Sequence, residues 1–337
     1  MDVVQLTRAL VDIESTTGAE ARAAEYLYGY LATLAARTSG SVERMPVAST
    51  RFNVLATWGM PVVTMSTHID AVPPYFSSRE DSEFVWGRGS CDAKGIIAAM
   101  ISAAERLLAA GTQDFGLLFV VGEEKDSLGS LAAAKVNRGS KFLINGEPTE
   151  NSLALGSKGA LRFELIGRGK LAHSAYPELG ESAIDKLLEV LEDVRKISLP
   201  SDELLGKSTL NIGTIAGGRA PNVIADSAQA ELMFRLVGDS NVVREALMRA
   251  VRGRVEVSEA LCTEPLRMQA VDGLKATVVA FTTDIPNFAG AWGRPLLIGP
   301  GSIHVAHTAE ERISKKELNG AVGIYETMVK KLQMDAA

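Results

Sequence analysis

Short apolar runs recur along the first half of the chain, each long enough for a strand and too short for a helix, with helical patterns between them. Phe52–Trp58, Pro61–Ser66, Phe115–Val121 and Lys141–Ile144 are such runs. They are apolar at successive positions rather than alternate ones, so both faces must be covered, which places them inside a sheet. Gly18–Ala36 follows a Ser-Thr-Thr-Gly turn with helical spacing of its apolar residues, and Ile96–Ala110 reads as a helix buried along one face. Strands alternating with helices predict an α/β layer architecture, a mixed sheet flanked by helices.

The pattern changes in the middle of the chain. Ala160–Ile166 reads as a strand, Ser182–Ile197 as a helix, Ser208–Ile215 and Ala228–Leu236 as strands, Val242–Val251 as a helix and Val255–Leu261 as a strand. The order β-α-β-β-α-β is the ferredoxin-like pattern. After it, strand Pro295–Ile298 and helix Ser314–Lys331 return to the α/β pattern of the first half. The expected organisation is one discontinuous domain, residues 1–158 and 264–337, interrupted by a self-contained α+β insert, residues 159–263.

Composition excludes several functions. A net charge of -6 and the lack of any Lys/Arg run argue against a nucleic-acid partner. No apolar run is long enough to span a bilayer, and the acid-bearing start Met1–Glu14 does not read as a signal peptide. Cys91 and Cys262 are the only cysteines, too few for a disulfide framework or a thiolate zinc site. The expected location is a reducing cytoplasm.

Five short pieces place metal-type side chains at the exit of an apolar strand or at the head of a helix. They are Thr67-His68-Ile69-Asp70, Gly89-Ser90-Cys91-Asp92-Ala93-Lys94-Gly95, Gly122-Glu123-Glu124, Asn145-Gly146-Glu147-Pro148-Thr149 and Gly301-Ser302-Ile303-His304-Val305-Ala306-His307. Ligands bind outside the carboxyl ends of strands in open α/β sheets, so these pieces can converge. Singly each is an ordinary loop: a His after a strand is more often a hydrogen-bonded loop residue than a ligand. Together they use three of the chain's four histidines, His68, His304 and His307. Imidazole with carboxylate suits zinc, and one aspartate shared by two cations, each with a His and a Glu, would complete a two-metal site. No Gly-x-Ser-x-Gly elbow is present for a serine hydrolase.

The series H-x-D, then D within G-x-x-x-D-x-K-G, then E-E, G-E-P and A-H-T resembles the di-zinc aminoacylase and carboxypeptidase family. Acetylornithine deacetylase, succinyl-diaminopimelate desuccinylase, aminoacylase and carboxypeptidase G belong to it. The resemblance spans essentially the whole chain, the insert matching the family's lid and dimerisation domain. It implies that His68 and Glu147 hold one zinc, Glu124 and His307 the other, and that Asp92 bridges them; cobalt or manganese are alternatives. It implies Glu123 as general base, Asp70 as a hydrogen-bond partner that fixes the tautomer of His68, and His173 as an oxyanion stabiliser. The loop Gly217–Asn222 and Arg235 match substrate-carboxylate contacts, for which Arg offers a planar fork. The chain departs from the family's frequent A-H-T-P-D-E, having Ala306-His307-Thr308-Ala309-Glu310-Glu311, and it is somewhat short.

The implied activity is removal of an acyl group, nearest to acetyl, from a small N-acyl amino acid such as N-acetylornithine. A dipeptidase or exopeptidase, or a hydrolase of carrier-protein-linked amino acids, would use the same metals. A catalytically silent binding protein would have lost Glu123 or a ligand. The implied assembly is a homodimer through the insert.

Overall fold

The computed structural model describes residues 1–136 and 138–336. The chain divides into two compact units: Met1–Leu155 with Met268–Thr277 and Thr283–Ala337, and Gly156–Arg267 with Val278–Thr282.

The first unit is a mixed sheet flanked by helices. Its strands lie in the order Ser41–Ala48, Arg51–Trp58, Phe115–Val120, Val63–His68, Phe142–Asn145, Arg294–Leu297 and then the strand that begins at Leu153. Val63–His68 pairs in parallel with both Phe115–Val120 and Phe142–Asn145, and Arg294–Leu297 runs parallel to Phe142–Asn145. Four carboxyl ends therefore open on one edge of the sheet. Every residue of Val63–His68, Phe115–Val120 and Phe142–Asn145 is buried, as the unbroken apolar runs require. Helix Lys94–Ala109 is buried almost all round and packs against helices Val3–Val11 and Lys315–Ala336.

Two differences from the sequence-based expectation have clear causes. The strand expected at Pro61–Ser66 is Val63–His68. Pro61 has no N–H for a ladder, so pairing starts beyond it and carries His68 into the end of the strand. Helix Val3–Val11 has no clear signal in the mixed start of the chain. It is set by a capping box in which the Gln5 amide donates to the Asp2 carboxylate at 2.8 Å and the Asp2 amide donates to Gln5 Oε1 at 3.3 Å.

The second unit is a four-stranded antiparallel sheet in the order Thr209–Gly217, Ser227–Leu236, Gly159–Arg168, Glu256–Thr263. This is the ferredoxin-like order, the first and third strands of the motif side by side at the centre. Helices Ala183–Arg195 and Ser240–Val251 supply Leu187, Leu191, Val243 and Leu247 to a core with Leu161, Phe163, Leu232 and Phe234. Ser182 and Asp239 cap the two helices through their side chains. Among the described residues no helix is long and apolar enough to cross a membrane.

Candidate active site

The four parallel strand ends of the first unit deliver the chemistry-bearing loops to one place. His68 ends its strand with its side chain 1% exposed. Its Nδ1 lies 3.0 Å from the main-chain carbonyl of Asp70, and its Nε2 lies 2.9 Å from Asp92 Oδ1. The other Asp92 oxygen lies 3.3 Å from His307 Nε2, and that nitrogen is 3.0 Å from Glu124 Oε1. One carboxylate thus stands between two imidazoles, one oxygen to each. Donor atoms of His68, Asp92 and Glu124 all lie within 4.8 Å of one another.

Asp70 faces His68 with both its carboxylate and its main-chain oxygen. Its carboxylate Oδ1 is 3.6 Å from His68 Nδ1, too far for a hydrogen bond. The carboxylate is already occupied: it accepts the amides of Gly122, Glu123 and Glu124 at 3.0, 3.1 and 3.2 Å and the Thr17 hydroxyl at 2.7 Å. The main-chain oxygen of the same residue takes over, which still favours Nδ1–H and leaves Nε2 free as a ligand. Glu123 and Glu124 sit in the tight turn that follows Phe115–Val120. Gly122 opens it with φ of 85°, and a side chain there would overlap Asp126 and Arg51.

The electrostatics are those of a cation site. Burial lifts the Glu123 carboxyl well above its ordinary range; His68 opposes the shift, and Asp284, Glu124 and Asp92 add to it. Burial lifts Glu147 too, with the charges of Glu123 and Asp92 behind it. Glu124 is raised by burial and lowered by its bond to His307. Glu147 is 5% exposed, and its buried Oε1 has no hydrogen-bond partner. Carboxylates gathered in this way repel one another and lose their hydration, a cost of several kcal/mol per uncompensated ion. Bound cations remove that cost, and an oxygen- and imidazole-rich set with an unsatisfied carboxylate oxygen fits zinc.

The structure therefore brings His68, Asp92, Glu124 and His307 into contact, with Glu123 and Glu147 acting on the same charges. The Asp92–Ala93 peptide bond is cis. Three candidates belong to the second unit. His173 and Asn222 are both exposed and adjacent: the Ser174 amide donates to the Asn222 carbonyl at 3.0 Å, and His173 bridges Val223. Arg235 is half-buried and, among the described residues, its guanidinium makes no hydrogen bond or ion pair. Burial lowers the pKa of its guanidinium. It stands at the far end of the central strands, opposite Ala160, whereas the His173 loop follows Arg168, which pairs with Ser227. That is eight residues of strand, or about 26 Å at about 3.3 Å per residue.

Two supports carry no signal that sequence reasoning can find. Glu311, 1% exposed, accepts the amides of Cys91 and Asp92 at 3.2 Å each and pairs with buried Arg88 at 2.6 Å, which fixes the backbone under Asp92. In sequence it is half of a Glu-Glu pair beyond His307, indistinguishable from a solvated turn. Asp284, also buried, accepts the Ser130 hydroxyl at 2.7 Å while its other oxygen has no partner. It lies in a stretch without any motif.

Comparison with known proteins agrees with this geometry. Residues 64–331 match the model of peptidase family M20/M25/M40. A peptidase M20 domain-containing protein of Schizosaccharomyces pombe is 37% identical across 97% of this chain and 84% of its own length. A probable carboxypeptidase of Aspergillus terreus is 36% identical across 96% of this chain and 84% of its own. In fold, the chain resembles an M20 family metallo-carboxypeptidase of Sulfolobus solfataricus, with a TM-score of 0.80 at 17% identity over 99% of this chain and 100% of that one.

Proposed function

The chain belongs to peptidase family M20/M25/M40, metal-dependent hydrolases of amide and peptide bonds, and from that premise we propose that it cleaves the amide bond next to a free carboxylate in a small substrate. A short peptide that loses its C-terminal amino acid is the leading substrate, and an N-acyl amino acid such as N-acetylornithine is the alternative. The observation that carries the chemistry is the Asp92 carboxylate shared between His68 and His307 beside the Glu123-Glu124 pair. The naming of the Aspergillus relative as a probable carboxypeptidase favours the peptide.

In this reading His68 and Glu147 would hold one cation and Glu124 and His307 the other, with Asp92 contributing to both. Zinc is the proposed metal, with cobalt or manganese as substitutes. Bound there, the cations would polarise the scissile carbonyl and would lower the pKa of a water towards neutrality. Glu123 then takes the proton from the attacking water and hands it to the departing amine nitrogen, a role that suits a carboxyl whose pKa burial has raised. Asp70 holds the amides of the turn that carries Glu123.

Arg235 binds the substrate carboxylate, because an unpaired, half-buried guanidinium gains most from an arriving anion. His173 and Asn222 support the oxyanion and the substrate backbone. One small molecule cannot touch both ends of the same sheet, so the pair and Arg235 serve one substrate only if they come from different copies of the chain. That spacing supports the homodimer through the insert. A cytoplasmic location completes the proposal.

The test is a panel of dipeptides, tripeptides and N-acyl amino acids, N-acetylornithine included, assayed with and without chelator and with Glu123→Ala. Chelator-sensitive release of C-terminal amino acids supports the leading reading. Turnover of N-acyl amino acids alone selects the alternative. Turnover that survives chelation sinks both.

A further inference from the structure

Glu123 and Glu124 have almost nothing of their own to hold them. Among the described residues, the Glu123 side chain makes no hydrogen bond and the Glu124 side chain bonds only His307. Their positions are inherited from the backbone of the turn Gly122–Ser127. That turn is anchored at both ends. At the front, the Asp70 carboxylate collects the amides of Gly122, Glu123 and Glu124. At the back, Arg51 Nη1 donates to Asp126 Oδ2 at 2.7 Å, and Asp126 in turn accepts the Leu128 amide at 3.1 Å. The same guanidinium donates from Nε and Nη2 to the two oxygens of Glu20, at 3.1 and 2.7 Å.

One strap joins the two anchors. The Ser15 hydroxyl donates to the Ile69 carbonyl at 2.8 Å, Thr17 donates to Asp70, and Glu20 ends the strap on Arg51. Loosening either anchor therefore moves the turn against His68 and Asp92. Stability alone is a poor explanation for the triad. The Glu20 side chain is fully buried and that of Arg51 is 10% exposed. The cost of stripping water from such ions is comparable to what their attraction returns, so apolar replacements are often neutral. A guanidinium forked between two carboxylates offers fixed geometry instead.

We propose that Arg51, locked between Glu20 and Asp126, is a positioning residue that sets the catalytic turn Gly122–Ser127. The proposal rests on Glu123 acting as the base and Glu124 as a ligand. Displacing reacting groups by about 1 Å costs on the order of 100-fold in rate. Loss of the anchor should act on kcat and leave substrate affinity alone.

The experiment compares Asp126→Asn, at a partly exposed position that tolerates exchange, with Arg51→Lys, which keeps the charge but not the fork. Arg44→Ala is the control: it breaks a similar fork, from the neighbouring strand Ser41–Ala48 to Glu25 of the helix Ala21–Thr38, that does not touch the turn Gly122–Ser127. Four quantities are read: kcat, KM, the melting temperature, and the visible absorption of the cobalt-loaded protein, which needs no substrate. Both anchor variants should lower kcat by about 10- to 100-fold, leave KM within about twofold, and shift the cobalt bands through Glu124. Arg44→Ala should change none of these. Anchor variants that lose only melting temperature, with wild-type kcat and an unshifted cobalt spectrum, overturn the proposal. If the wild type hydrolyses nothing, the functional reading fails, and the cobalt spectra of the variants still decide the positioning role.

Discussion

The two units treat their functional side chains in opposite ways. In the first, His68, Asp70, Asp92 and Glu147 are at most 5% exposed, with His307 alone of the set about half exposed, and the Asp92 amide is held by buried Glu311, itself paired with buried Arg88. In the second, His173 and Asn222 are exposed, and the Arg235 guanidinium has no partner among the described residues. Buried charges are tolerable only where the fold or a bound ion compensates them, so a centre of carboxylates has to be built rigidly. Groups that bind an arriving substrate can wait in water and be desolvated by it. In the proposed reading, bond cleavage falls to the first unit and substrate choice to the second, and that reading predicts different kinetic signatures for the two.

The largest effect should come from Glu123→Ala. Removing the acid–base group should lower kcat by about 100- to 10,000-fold, with metal content and KM close to wild type. Elemental analysis beside steady-state kinetics checks it. A loss that follows metal content would make Glu123 a ligand rather than a base and would redraw the first unit's site. Next in size, Arg235→Ala removes a charged hydrogen-bond partner worth about 1.5–3 kcal/mol, roughly 10- to 100-fold. The loss should fall on KM, as expected for binding made equally in ground and transition states. A substrate with its carboxylate amidated should be indifferent to the change. Equal sensitivity of the amidated substrate would break the division of labour between the units.

How much of this is legible in the sequence follows the same contrast. The central strands can be read because each is a continuous apolar run between polar loops, and the ligand pieces because each follows such a run. The edge strand Ser41–Ala48 cannot: it is largely exposed and spelled S-V-E-R-M-P-V-A, without a buried face to give it a period. The short helix Leu128–Ala133 escapes as well; it is one turn and a half, below the length at which periodicity can be read. Within the site, residue types point to the candidate ligands, but not to which atom of Asp70 faces His68, since that depends on what else the carboxylate has already bonded. Arg51 and Glu311 are invisible for a related reason. A charge that is buried and paired looks, in sequence, like a charge in solvent; only the fold supplies its partner.

The smallest expected effect concerns protons rather than rates, and it falls on the first unit. Hydrogen bonds to Asp92 and then Glu124 push His307 up to about 10, against its burial, while an unfolded histidine titrates near about 6.5. A group raised in this way stabilises the metal-free fold fully below about pH 6.5, and the contribution disappears as pH climbs through about 10. The melting temperature of metal-free protein should therefore slope downward across that window, and loading with zinc should flatten it, because a ligating imidazole is neutral whatever the pH. Zinc uptake at neutral pH must then expel protons. Calorimetric titration in buffers of different ionisation enthalpy measures this directly, and the release should shrink as pH passes about 10. Buffer-independent heats at neutral pH would mean that the imidazole beside Asp92 is already neutral, and that the first unit holds its charges less tightly than its geometry requires.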